Sequence, residues 1–324
     1  MYNLNMYAIN LKKTFLYNLL RSSYLIILYP FRSYLKNKIS QKDQARQDFK
    51  NYQFKSFTSV LYWIGYMHYI SLFKNINNSR KSKYFFDHSL NKDGYARLND
   101  LNDQLLNDLI NFYLEKKSFN GNLEEYFDEL STKGDVRPKG LNMLEHPNIL
   151  KRILKDTLIL PIVKEHLGIN FDQMHLYGKF DTLIKLDSER LKKSHDDALV
   201  FHRDYDSHKA VKVFFYLNEI NEGCGHHEIF LKSHRVLPMR LRPIRRYKKD
   251  EIEQYIDPSS LKKVTGKPGF GFIENTTCFH RGTVPTEGNR MIITLSFNDS
   301  KTIKRLQRDI INGETFYAPL NEFL

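Results

Sequence analysis

The chain has 324 residues, 41% of them hydrophobic and 14% aromatic, enough to bury a substantial core in one large domain or two small ones. A charged fraction of 27% argues against a membrane channel, and a net charge of +13 points to anionic partners: nucleic acid, lipid headgroups or acidic substrates. Cys224 and Cys278 are the only cysteines, which excludes a disulfide framework and fits a reducing cytosol.

The first 42 residues contain no acid and seven bases, from Lys12 and Lys13 to Lys42, interleaved with apolar and aromatic groups. The most apolar stretch among them, residues 22–31, is far shorter than the ~20 residues of a membrane span. No small-residue cleavage site follows it, so it does not read as a signal peptide. Residues 1–50 read as a basic amphipathic segment, either lying in an anionic membrane interface or packed as a helix on the protein body. That places the protein in the cytoplasm, with peripheral contact at the inner face of a membrane as one expectation.

Residues 51–168 read as a mainly helical part. The run 56–73 carries the single tryptophan, Trp63, but its serines and tyrosines make it too polar for a span, and it reads as a buried helix. Residues 101–117 place Leu101, Leu105, Leu109, Ile110 and Tyr113 at helical spacing. Residues 147–168 predict another helix, opened by Pro147, closed by Gly168 and kinked or divided at Pro161.

After Gly168 short apolar runs dominate: 174–180, 182–186, 209–217, 228–233, 269–273 and 290–297. They are rich in Val, Ile, Phe, Tyr and Thr and are separated by Gly, Pro, Asn and Asp, the texture of a β-barrel or sandwich. Residues 169–300 therefore read as a β core, with a basic insertion at 239–262 and a tail at 301–324. No repeat or low-complexity linker is present.

Within that core stands FHRDYD, residues 201–206. On a strand, positions i and i+2 share a face, so His202 and Asp204 can point at one ion. His280 supplies a third candidate ligand at the end of a glycine-rich strand-like run. Two histidines and one carboxylate on one face of an octahedron leave positions open, the arrangement of non-haem Fe(II) oxygenases. Arg290 opens the next strand, and the turn between predicts a short hairpin that returns it to the same mouth. Its guanidinium suits a carboxylate, which it can grip through two parallel hydrogen bonds. The tripeptide His202-Arg203-Asp204 is not a kinase catalytic loop, because Lys209 stands where asparagine is needed and no Asp-Phe-Gly follows.

Four stretches in this order resemble the phytanoyl-CoA dioxygenase-like branch of the Fe(II)/2-oxoglutarate oxygenases: 201–206, 213–223, 229–235 and 279–297. The resemblance covers roughly residues 170–298. It implies an α+β protein, a double-stranded β-helix (a cupin-like jelly roll) with flanking and N-terminal helices. It implies Fe(II) on His202, Asp204 and His280, 2-oxoglutarate as cosubstrate with Arg290 on its far carboxylate, and O2 as co-reactant. Tyr216 and Thr182 are further candidates for lining the cosubstrate pocket. Succinate and CO2 would be the coproducts. Asp204 favours hydroxylation, since related halogenases resemble this pattern with a small residue there. Leu231 and Lys232 depart from the family's usual proline and glycine, and Phe270 from its aspartate, but none of these supplies iron.

Six of the eleven residues at 239–249 are basic, among them Arg242, Arg245 and Arg246. These three are candidates for binding an anionic substrate, small or lipid-linked; relatives act on acyl-CoA, small metabolites and the Kdo sugar of lipopolysaccharide. The same chemistry on a soluble metabolite is the alternative. A basic lipid- or nucleic-acid-binding protein without iron is a third reading, although no zinc finger or RNA-binding signature points to nucleic acid.

Overall fold

The computed structural model describes residues 89–185, 200–204, 211–235, 241, 246–299 and 317–324, all within one compact unit, Tyr84–Leu324. The basic segment 1–50, the run 56–73, and Arg242 and Arg245 lie outside the described residues. Among the described residues, no helix is long and apolar enough to cross a membrane.

After a short helix α1 (Ser89–Asp93) and strand β1 (Tyr95–Arg97), the chain enters α2 (Asp103–Lys116). Asn102 caps α2 by accepting from the Leu105 amide at 2.9 Å. Helix α3 (Leu123–Lys133) buries Leu123, Tyr126, Phe127 and Leu130 at helical spacing, between a capping box of Asn122 and Glu125 and Gly134 in the left-handed region at φ 71°. The run 147–168 is divided into α4 (Pro147–Asp156) and α5 (Ile159–Leu167), closed by Gly168 at φ 67°. The break falls at Thr157 and Leu158. Pro161 sits in the first turn of α5, where no intrahelical donor is missed.

The remaining strands are β2 (Met174–Leu183), β3 (Phe201–His202), β4 (Val211–Tyr216), β5 (His227–Phe230), β6 (Arg246–Tyr247), β7 (Leu261–Val264), β8 (Gly271–Asn275), β9 (His280–Gly282), β10 (Arg290–Asp299) and β11 (Ala318–Pro319). Residues 174–183 are thus one continuous strand. A short helix α6 (Lys249–Glu253) lies in the basic insertion.

Two antiparallel sheets result, ordered β1-β8-β4-β10-β2-β11 and β6-β3-β9-β5-β7. From β2 onward the chain alternates between them: β2, β4, β8 and β10 in one, β3, β5, β7 and β9 in the other, folding back once between β5 and β7. That connectivity is a double-stranded β-helix, the jelly roll. It also corrects the expected hairpin before Arg290, because β9 and β10 belong to different sheets and their connection crosses between them.

Three apolar layers follow from strand parity. Met174, Leu176 and Phe180 of β2 and Met291, Ile293, Leu295 and Phe297 of β10 face α2–α5. Phe214, Tyr216, Phe272 and Ile292 face Ile229 and Val264 across the inside of the β-helix. Phe201, Phe230, Tyr247 and Phe279 pack with Ile252 of α6 on the outside of the second sheet. Covered on both sides, β10 is buried from Arg290 to Asn298, with apolar residues toward the helices and Thr294, Ser296 and Asn298 among its inward positions.

Phe180 is fully buried between β2 and α2, its ring 5.2 Å from Tyr113 and 6.0 Å from Phe112. Phe180→Ala is expected to cost ~3–5 kcal/mol, read by urea unfolding, because the aromatic cluster cannot collapse into the space. A loss below ~1 kcal/mol would mean that the helices do not depend on this contact.

Candidate metal centre

His202 ends β3 and pairs directly with His280, which begins β9, so the two imidazoles emerge side by side on one face with ring centroids 4.3 Å apart. Each ring is turned by its own backbone. His202 Nδ1 lies 2.9 Å from the Val200 carbonyl and His280 Nδ1 lies 3.0 Å from the Cys278 carbonyl. Protonated there, both rings present an unprotonated Nε2, the outer-partner arrangement that fixes a ligating histidine.

Asp204 lies beyond the end of β3, which corrects the expectation that the whole motif is a strand. Its amide donates to the Thr276 carbonyl at 2.8 Å, and this bond brings its carboxylate back beside the two rings. The ligand atoms of His202, Asp204 and His280 all fall within 4.8 Å of one another. Lys212, from the inward face of β4, donates to Asp204 Oδ2 at 2.7 Å. Burial would raise the Asp204 carboxyl, but Lys212 and the two histidines hold it well below the usual carboxylate range. An ionised carboxylate and two Nε2 lone pairs suit a divalent first-row metal, with the other side of the ion left open.

Arg290 begins β10 and is buried. Its Nη1 donates to the Gly225 carbonyl at 2.8 Å and its Nη2 stands 3.6 Å from Asp181, while Nε has no partner. Gly282, two residues after His280 on β9, makes room for it: a Cβ there would stand 2.4 Å from Arg290 Nη1. The guanidinium therefore lies one inward-facing position along β9 from a ligand histidine. That spacing suits a short dicarboxylate bound to the metal at one end and to Arg290 at the other. Asp181 is shared with Arg137 at 3.1 Å, and these cations outweigh burial to depress its carboxyl.

The other candidates sit differently. Tyr216 faces the interior, but its hydroxyl already donates to the Val264 carbonyl at 2.7 Å and accepts from the His227 amide at 3.2 Å. Thr182 bonds Tyr113 of α2 at 3.1 Å; Leu183, not Thr182, is the register partner of Arg290 and shares its face. Arg246 is the register partner of His202 and stands on the same face of the second sheet. His234 bonds Cys278 Sγ and the Asn91 carbonyl, a structural role. Cys224 and Cys278 are both buried and free.

Three interior residues that the motif reading leaves out lie beside the cluster: Lys212, Glu274 and His227. Glu274 is fully buried on β8, pairs in register with Lys212, and accepts from His227 Nε2 at 2.7 Å. Their signal is strand parity. Lys212 shares its side of β4 with Phe214 and Tyr216, and Glu274 shares its side of β8 with Phe272, all facing inward.

These groups set a pH dependence for the metal-free protein. Burial, above all, pushes the His280 imidazole down to about 4 and that of His227 to about 3. Unfolded imidazoles protonate near ~6.5, so below that pH the unfolded chain gains protons that the folded one refuses, and stability falls. Glu274, pushed up by burial to about 7, acts in the opposite sense. Its folded form keeps a proton that the unfolded carboxyl releases near ~4.3, a contribution lost as pH rises toward 7. Two imidazoles against one carboxyl leave a net loss on acidification. The Tm should drop from pH 6.5 to pH 4.5, and more steeply in Glu274→Gln; a flat profile would show these groups to be solvated.

No family model and no curated protein matches the chain. Among solved structures, the match to EctD from S. alaskensis with 2-oxoglutarate and 5-hydroxyectoine has 12% identity and a TM-score of 0.46, covering 69% of this chain and 80% of that one. The non-heme monooxygenase ThoJ matches at 17% identity and a TM-score of 0.42, over 65% of this chain and 76% of its own. The alpha ketoglutarate dependent epimerase SnoN from nogalamycin biosynthesis matches at 13% identity and a TM-score of 0.40, over 65% and 79%. At such similarity, the chemistry of this chain rests on its own residues.

Proposed function

We propose that the protein is an Fe(II)/2-oxoglutarate-dependent dioxygenase of the phytanoyl-CoA dioxygenase-like kind, hydroxylating an anionic substrate with succinate and CO2 as coproducts. One observation carries the reading: a His-Asp-His cluster, buried at Asp204 and His280 and half-buried at His202, and a buried arginine whose Nε has no partner among the described residues, both on the inside of a jelly roll. His202, Asp204 and His280 would hold the iron, and Arg290 the far carboxylate of 2-oxoglutarate. The bound iron would supply O2 activation coupled to oxidative decarboxylation of the cosubstrate.

The chain's own residues do the rest. Val200 and Cys278 carbonyls fix the imidazole tautomers, and Lys212 keeps the Asp204 carboxylate ionised and oriented. Phe214, Phe272 and Ile292 supply an apolar wall that limits water inside the β-helix.

Support for an anionic substrate comes from Arg246, placed beside His202 on the same face, and from the basic composition around it. Arg242, Arg245 and the N-terminal segment extend that proposal to a lipid-linked substrate at an anionic membrane, such as a lipopolysaccharide sugar acid. A screen of sugar acids, acyl-CoA thioesters and phosphorylated metabolites for Fe(II)- and 2-oxoglutarate-dependent succinate release tests the reaction. An anionic member should stimulate release, and Arg246→Glu should raise its KM while leaving substrate-free 2-oxoglutarate turnover unchanged. Stimulation by neutral compounds alone would remove the anionic-substrate reading.

A further inference from the structure

Glu274 Oε1 is buried, has no hydrogen-bond partner among the described residues, and lies 3.7 Å from His280 Nε2. Asp204 Oδ2, on a ligand of the triad, is no nearer to that nitrogen, at 3.9 Å. Glu274 stands outside the three-residue cluster, yet its free oxygen addresses the same edge of His280. Its other oxygen is held by His227, whose amide is tied to the Tyr216 hydroxyl. The His227 ring packs against Phe214 and Phe272 at 5.1 and 5.4 Å.

We propose that Glu274 is a positioning residue of the metal centre: held by His227 just outside the coordinating triad, it accepts a hydrogen bond from water on the open side of the ion and strengthens cation binding. A carboxylate oxygen that burial leaves without a partner is satisfied by a divalent cation and its water. The same charge repels a second carboxylate, so Glu274 also biases where a dicarboxylate cosubstrate settles.

The inference rests on the metal reading above, and the test separates the two. Glu274→Gln keeps an acceptor for His227 and removes the charge. Co(II) is titrated into wild type, Glu274→Gln and His280→Ala, read by its visible absorption and by calorimetry, and 2-oxoglutarate is then titrated into the Co(II)-loaded proteins. Glu274→Gln should bind Co(II) about tenfold or more weakly, the loss expected for an outer partner, yet bind 2-oxoglutarate at least as tightly as wild type. Equal Co(II) affinity in Glu274→Gln and wild type, or a parallel fall in both affinities, overturns the role of Glu274. Failure of wild type itself to bind Co(II) overturns the metal reading as well. If Glu274→Gln does not fold, the joint replacement His227→Leu with Glu274→Met removes the pair in apolar form and should show the same weakened Co(II) binding.

Discussion

His280→Ala should abolish metal binding while leaving the protein folded. Affinity should fall by more than the ~10–100-fold that losing an outer partner costs, because a ligand atom itself is gone. The fold should survive, since removing the imidazole also removes a group that burial keeps from protonating and whose Nδ1 bonds only the nearby Cys278 carbonyl. Titration with Fe(II) under nitrogen, alongside circular dichroism, reads both quantities. His234→Ala is the control: it breaks bonds to Cys278 and Asn91 but touches no ligand, so metal affinity should hold. Equal losses in both variants would mean that the effect is structural.

The second large effect belongs to Arg290. Arg290→Met should weaken 2-oxoglutarate binding by about 100-fold, the equivalent of two charge-assisted hydrogen bonds, with metal affinity unchanged. The fold should survive with a moderate loss of stability, because Asp181 keeps its pair with Arg137 while the Gly225 carbonyl loses its donor. Gly282→Ala reaches the same grip from β9. Its added Cβ falls on Arg290 Nη1 and should weaken 2-oxoglutarate while sparing the metal. Calorimetry with the Mn(II)-loaded protein distinguishes these outcomes. Unchanged 2-oxoglutarate affinity in both variants would place the cosubstrate elsewhere.

Much of this site is legible in the sequence because its parts lie at the ends of strongly patterned elements. Arg290 opens β10, whose β-rich run is plain in the sequence, and the outer bounds of 147–168 follow from its terminal proline and glycine, although its division falls at Thr157 and Leu158 rather than at Pro161. His202 and His280 are harder, since β3 and β9 span only two and three residues, too short for any periodicity. The strand face expected to be shared by His202 and Asp204 gives way to a backbone bond from Asp204 to the Thr276 carbonyl.

Interior polar groups were concealed for a different reason. In β2, alternation sets Met174, Leu176 and Phe180 against Tyr177, Lys179 and Asp181, which reads as a core face and a solvent face. Here the apolar side meets the helices and the polar side lines the inside of the β-helix, where Asp181 meets Arg290. The usual rule of polar residues outward is inverted because a helical layer covers the outer face. Lys212 and Glu274 are concealed differently, as single charges on strand faces otherwise occupied by Phe214, Tyr216 and Phe272. Helix α3 is legible in the same way as α2, from Leu123, Tyr126, Phe127 and Leu130 at helical spacing between a capping box and a terminal glycine.

The assignment of iron and 2-oxoglutarate to this interior is tested most directly by absorption spectroscopy of the anaerobic protein. Fe(II) and 2-oxoglutarate added together should produce a weak visible charge-transfer band that neither produces alone. The band should be absent in His280→Ala and should require far more 2-oxoglutarate in Arg290→Met. No band in a wild-type protein shown to have bound iron, or an undiminished band in His280→Ala, would contradict the assignment.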